Sequence, residues 1–163
     1  MSNAERLVAL IPRLRRYARA LVGDQAAADN LVQDTLERAC SKLHLYRGGT
    51  DLRAWLFTMM HQVHVNRLRA ARATDPLDEE MPELVQTTPQ DNALLVRDVD
   101  RAISGLPAEQ RAVLLLVTLE EMSYEEVART LGIPVGTVMS RLARAREKLR
   151  ATLFGRAQLK AVN

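Results

Sequence analysis

A chain of 163 residues that is 47% hydrophobic, 4% aromatic and has 7 glycines can bury a real core, but is poorly suited to an all-β fold. One cysteine, Cys40, excludes an intrachain disulfide. With no run near the roughly 18 apolar residues of a membrane span, and no leader-like apolar start, the expected address is the cytoplasm, without membrane insertion. The net charge of +3 hides a pattern: residues 1–72 hold 12 lysines and arginines against 6 acids, residues 73–110 hold 2 against 9, and residues 111–163 hold 9 against 5. Two basic blocks flank an acidic one, and basic faces suit a polyanion.

In chain order, Leu7, Leu10, Ile11, Leu14, Ala18 and Leu21 form one helical stripe, which predicts a helix over 5–22 ended by Gly23 and Asp24. A second helix is expected over 26–45, with Leu31, Thr35, Leu36, Ala39 and Leu43 inward. Tyr46 to Thr50 reads as a loop on Gly48 and Gly49, and Asp51 as the N-cap of a third helix reaching Arg72. Residues 73–89 are acidic and interrupted by Pro76, Pro82 and Pro89, the mark of an interdomain linker. Helices follow over 90–105, over 107–119 with Pro107 in the first turn, over 123–131 from a Ser123/Glu126 capping box, and over 135–154. The expected fold is all-α: a three-helix bundle (1–72), a flexible acidic linker (73–89) and a four-helix domain (90–163).

The sharpest local pattern runs from Tyr124 to Leu142. Ala128 is the small residue at which a second helix crosses, Gly132 supplies a turn with positive φ, and Val138 is the buried contact that follows. That spacing marks a helix-turn-helix. With Val138 inward, Leu142, Ala145 and Leu149 also face in. The opposite face carries Gly136, Ser140, Ala143 and Arg144, flanked by Met139 and Arg141, so a backbone can approach the major groove and Arg144 can read guanine. Arg141, Arg146, Lys148 and Arg150 add phosphate attraction. A helical hairpin without a DNA role has no need of five basic residues in ten.

These residues, together with the first half, resemble the extracytoplasmic-function sigma factors of bacterial RNA polymerase. Leu106–Arg111, Ser123–Ala128 and Pro134–Arg141 resemble their region 4, which implies binding of the minus-35 promoter element, with Thr137, Met139, Ser140, Arg141, Ala143, Arg144 and Lys148 at the DNA, and of the β flap. Asp29–Ala39 resembles the helix that docks on the β′ clamp coiled coil, implying core-polymerase contacts from Asp29, Asn30, Leu31, Val32, Gln33 and Asp34. Replacing Leu31 and Asp34 together is then expected to abolish core binding without loss of helix. Tyr46–Phe57 and the helix beyond resemble the part that melts and reads the minus-10 element, implying Gly48, Gly49, Gln62, Asn66 and Arg69 there. Trp55, beside that loop, is expected in the core. Family members usually carry Asn and Asp where Gln62 and Asn66 stand, often a basic residue at Met139, and in some cases a larger one at Ala143, so the family's promoter consensus does not carry over.

The expected function is a promoter-recognition subunit under anti-sigma control, serving stress-response genes and acting only with core polymerase. The free protein is expected to be a monomer whose two domains reorient until a partner holds them. A freestanding helix-turn-helix regulator usually has a ligand or phosphoacceptor domain ahead, and residues 1–72 show no βα alternation. An adaptor or anti-sigma mimic has no need of an arginine-rich recognition helix. Cys40/His44 and His61/His64 have spacings that can pair metal ligands, but a half-buried Cys40 and ordinary amphipathic histidines account for them, so no metal and no cofactor are expected. No nucleophile–base pair or phosphate-binding glycine loop points to an enzyme.

Overall fold

The computed structural model describes the backbone of residues 1–74 and 93–162 and the side chains of 1–73 and 96–155. Within them the regular elements are all helices: α1 (Asn3–Val22), α2 (Gln25–Lys42), a 3₁₀ turn (Leu43–Leu45), α3 (Leu52–Thr74), α4 (Ala93–Ser104), α5 (Ala108–Thr118), α6 (Tyr124–Leu131) and α7 (Val135–Val162). The expected linker lies outside the described residues except for 73 and 74, which continue α3. So does the expected helix start at 90.

α1 begins two residues before its expected start because Ser2 and Glu5 form a capping box, each side chain accepting from the other's backbone N–H. Asp24 caps α2 by accepting from Ala27 N–H at 3.0 Å, and Asp51 caps α3 by accepting from Arg53 N–H at 3.0 Å. The predicted stripe of α1 is buried at Leu7, Leu14, Ala18 and Leu21 and half-buried at Leu10 and Ile11. Tyr17 joins it, its ring meeting Phe57 edge-on at 5.1 Å between centroids. Leu31, Thr35 and Ala39 of α2 and Leu52, Leu56, Phe57 and Met60 of α3 complete this core. Each large apolar side chain buried there stabilises by about 1.5–3 kcal/mol. Buried Thr35 needs no outside partner, since its hydroxyl donates to Leu31 C=O at 2.7 Å.

In the second half, Val113, Leu114, Leu115 and Leu116 of α5 pack with Val127, Val138, Leu142 and Ala145. α5 does not end on a glycine. Instead Glu121 takes a positive φ of 52°, and Met122 N–H reaches back to Leu116 C=O at 3.1 Å. This tight reversal drives the neighbouring Glu120 inward, where it is fully buried.

The two halves lie in contact in this structure. α1 packs on α4 and α5, and α3 packs on α6. Net charge per domain hides local complementarity: Glu120 and Glu126, inside a basic domain, meet Arg13, Arg16 and Arg53 of the other. Arg13 Nε stands 3.2 Å from a Glu120 carboxylate oxygen, and Arg53 lies 3.5 Å from Glu126. Arg53 also donates to Glu120 C=O at 2.8 Å, and Arg16 to Leu119 C=O at 3.0 Å.

Candidate nucleic-acid and partner interfaces

The helix-turn-helix forms as its residue types require. Gly132 ends α6 in the left-handed region (φ 67°, ψ 40°), its N–H bonding to Ala128 C=O. Ala128 is buried beneath the crossing, and Val138, Leu142 and Ala145 point inward. Ser123 Oγ accepts from Glu126 N–H at 3.2 Å, but only that half of the predicted capping box forms. The Glu126 carboxylate turns to Arg53 instead. On α7, Gly136, Met139, Ser140, Ala143, Arg144 and Lys148 are all exposed, a shallow face edged with positive charge, with Thr137 half-buried beside it. Arg141 is half-buried and paired with Glu109 of α5 at 3.6 Å, so it reaches DNA only by leaving that partner.

In the first half, Gln62, Asn66 and Arg69 lie exposed along one face of α3. The loop holding exposed Gly48 and Gly49 is pinned from beneath: the buried Tyr46 hydroxyl donates to Thr50 C=O, and its ring packs on Trp55 at 5.5 Å. Gly49 has φ 104°, a conformation that favours glycine. Trp55 is half-buried against the core beside the loop.

The α2 surface differs from expectation. Leu31 is completely buried and belongs to the core, and Val32 shows only an edge. Successive residues on a helix cannot all face out, and the same stripe that carries Ala28 and Thr35 carries Leu31 inward. Asp29, Asn30, Gln33 and Asp34 remain exposed. Asp34 is paired with Arg67 of α3, which also reaches Asn30 C=O at 3.3 Å. Asp29, Val32 and Gln33 join Leu36, Glu37, Cys40 and two α1 residues, Arg15 and Arg19, around a groove of about 690 Å³. Cys40 is exposed, not half-buried.

Residues 7–61 match the family described as the Sigma2 domain of PhyR, and residues 97–149 match sigma-70 region 4. ECF RNA polymerase sigma factor EcfG of Rhodopseudomonas palustris is 37% identical over 150 residues, covering 91% of this chain and 83% of that protein. The chain belongs to the ECF RNA polymerase sigma factors. A second relative, SigM of Mycobacterium tuberculosis, is 35% identical, covering 88% of this sigma factor and 72% of its relative. Among solved structures, sigma factor RpoE in complex with the anti-sigma factor NepR from Bartonella quintana superposes with a TM-score of 0.81 at 32% identity, over 92% of this chain and 95% of that one. CnrH in complex with the cytosolic domain of CnrY does so at 0.68 and 26%, over 93% and 87%. No described helix of this sigma factor is long and apolar enough to cross a membrane.

Between the sigma factor's two halves lie groups that the sequence patterns did not mark. Arg111 of α5 donates to Leu21 C=O at the end of α1, at 2.8 Å. Burial raises the Glu120 carboxyl, against the pull of Arg13, Arg53 and Arg16. His64 is half-buried, and burial, then His61, Arg111 and Arg67, hold its imidazole down at about 4. Burial and then Arg141 lower His61 as well.

The sign for His64 follows directly. Between pH about 6.5 and about 4 the unfolded chain carries a proton that the folded chain lacks. Folding stability is therefore expected to fall by about 1–2 kcal/mol across that window, a full shift being discounted for partial exposure. Urea midpoints at stepped pH check this, and His64→Gln should flatten the slope. An equal slope in that variant would place the titration elsewhere.

Proposed function

We propose that this sigma factor binds core RNA polymerase through the α2 surface, docks region 4 on the β flap, and directs the holoenzyme to promoters without catalysis of its own. The three units are residues 1–72, the acidic linker 73–89 and residues 90–163. α7 reads the minus-35 element, and the Gly48–Gly49 loop with Gln62, Asn66 and Arg69 engages the minus-10 element. Asp29, Asn30, Gln33 and Asp34, with the edge of Val32, carry the clamp contact, with Arg15, Arg19 and Glu37 added around the same groove. The protein works in the cytoplasm as a monomer when free, and stress-response genes are its expected targets. The observation that carries the reading is the exposed, glycine-entered and arginine-edged face of α7 over a buried Val138–Leu142–Ala145 seam.

An anti-sigma partner is proposed by analogy with RpoE and CnrH, whose structures contain one. The match to the Sigma2 domain of PhyR, which one solved structure holds as an anti-anti-sigma factor complexed with the anti-sigma factor NepR, supports a second reading, a mimic that binds an anti-sigma factor. Run-off transcription with purified core polymerase separates the two. Promoter-dependent product supports the sigma function, whereas capture of an anti-sigma factor without core or promoter binding supports the mimic.

Within the sigma reading, Arg144→Ala is expected to cost about 1–3 kcal/mol at the upstream element and to relax sequence preference there. Lys148→Ala should weaken binding evenly across sequences and lower the salt slope. Holoenzyme titrations on matched and mismatched promoters measure both. Sequence-blind losses of equal size would assign Arg144 to phosphate.

A further inference from the structure

We propose that Tyr46 is a positioning residue for minus-10 recognition: its hydroxyl holds the Gly48–Gly49 loop in one shape, so that an unstacked promoter base meets a loop already formed. The inference rests on the sigma reading, in which this loop engages the minus-10 element. The loop is fixed at both ends and loose only between them. At its start the Tyr46 N–H closes the 3₁₀ turn by donating to Leu43 C=O at 3.1 Å. At its end Asp51 caps α3, and Trp55 N–H donates to the Asp51 carbonyl at 3.1 Å. Between them lie Arg47, Gly48, Gly49 and Thr50, all exposed. Glycine has the most conformational freedom to lose, so two in succession leave this the least constrained stretch between α2 and α3. The Tyr46 hydroxyl spans it by donating to Thr50 C=O. A second strut lies outside, where the Thr50 hydroxyl and N–H both donate to Arg47 C=O, at 2.9 and 3.4 Å. The Tyr46 ring is itself buried and held against Trp55. Phenylalanine would fill that place without the desolvation cost of a hydroxyl, so packing alone does not account for tyrosine.

Gly48 shows what the shape serves. A Cβ added there would meet nothing within 4 Å, and its φ lies outside the left-handed region that Gly49 occupies. Neither packing nor backbone conformation within the chain calls for glycine at this position. Close approach of an outside group to the backbone does. With no side chain at either glycine, the loop offers a base only its own N–H and C=O groups. Such groups bind well only when their directions are set beforehand, because ordering them at the moment of binding subtracts from affinity.

Binding of the holoenzyme to fork-junction DNA, single-stranded across the minus-10 element, tests the role. Tyr46→Phe keeps the ring and removes the clasp. It should lower affinity for the fork about 3- to 10-fold, the worth of one neutral hydrogen bond. Core affinity and binding to a duplex minus-35 fragment should not change. A series of forks in which each unpaired nucleotide in turn is abasic then separates positioning from packing. At the one position whose base the loop holds, the Tyr46→Phe penalty should vanish, and at every other it should persist. A hydroxyl that only supports the fold gives the same penalty on every fork. Thr50→Val removes the outer strut at an exposed position and should show the same position-selective loss. Should Tyr46→Phe fail to fold, Thr50→Val alone decides. No penalty on the intact fork, or an equal penalty on all forks, overturns the positioning role and leaves the sigma reading standing. Wild-type holoenzyme that binds no fork at all overturns the sigma reading, and this role with it.

Discussion

Arg111→Met is expected to destabilise the protein by about 3–5 kcal/mol and to lower its melting temperature by roughly 10 °C or more. Arg111 Nε donates to Ile103 C=O at 3.1 Å, while its terminal nitrogens donate to Ser104 at 2.7 Å, Leu106 at 2.8 Å and Leu21 at 2.8 Å. Three of these carbonyls belong to helix ends, where the last carbonyls have no partner within the helix and the macrodipole favours a cation. One side chain thus closes the α4–α5 corner and ties it to α1. Burial lowers the basicity of the guanidinium, which nonetheless stays charged at any working pH. Methionine of similar length keeps the packing and strands four acceptors. Arg111→Lys should recover less than half of the loss, because an ammonium cannot fork to four carbonyls at once. Thermal and urea melts followed by circular dichroism check the pair. A melting temperature within about 2 °C of wild type for Arg111→Met would show that water replaces the guanidinium without cost.

The second large effect is expected at Leu31. With its side chain fully buried among α1 and α3, Leu31→Ala should cost about 2–5 kcal/mol through the cavity it leaves. Asp34→Ala removes an exposed pair with Arg67 and should cost at most about 1 kcal/mol. A double variant at these positions that fails to bind polymerase therefore confounds unfolding with a lost contact. The informative pair is Asp29→Ala with Gln33→Ala, both exposed on the groove rim. It should keep the wild-type urea midpoint and weaken core binding. A lowered midpoint for that pair, with Leu31→Ala stable, would reverse the assignment of inner and outer positions.

Much of this was legible in the residues. Apolar stripes placed α1 and α2, because an apolar face must find a core whatever the topology, and caps, glycines and prolines bounded the other described helices. Ala128, Gly132 and Val138 fell where a helix-turn-helix needs them, each for a local reason of size, φ or burial. What escaped was non-local. Arg13, Arg16, Arg53 and Arg111 look like solvated charges in sequence, and only the meeting of two domains reveals the carbonyls and the carboxylate they serve. Tyr17 was missed in the core because its hydroxyl suggests a wet position, while its ring is what packs. The α5 terminus carried no glycine to announce its reversal, since Glu121 adopts the left-handed conformation that Gly132 takes at the end of α6. At α2, the apolar stripe and the family resemblance pointed Leu31 in opposite directions, and helical geometry settles the matter inward.

α7 is continuous over 28 residues, eight more than expected, which at ~1.5 Å per residue is a rod of about 42 Å. The groove-reading end occupies its first third, and the buried seam at Val138, Leu142 and Ala145 clamps that end to the domain. Beyond Leu149 the rod carries half-buried Thr152 and Leu153, then an exposed Phe154 and Gly155. Mechanically it is a lever seated where it reads, with α4 also packed along it. A load on its far end is felt as torque on the reading end, unless the helix yields first. Gly155, the residue on that arm with the weakest helix propensity, is where it would yield. The same position that softens the arm thereby limits how much bending beyond it reaches the reading end.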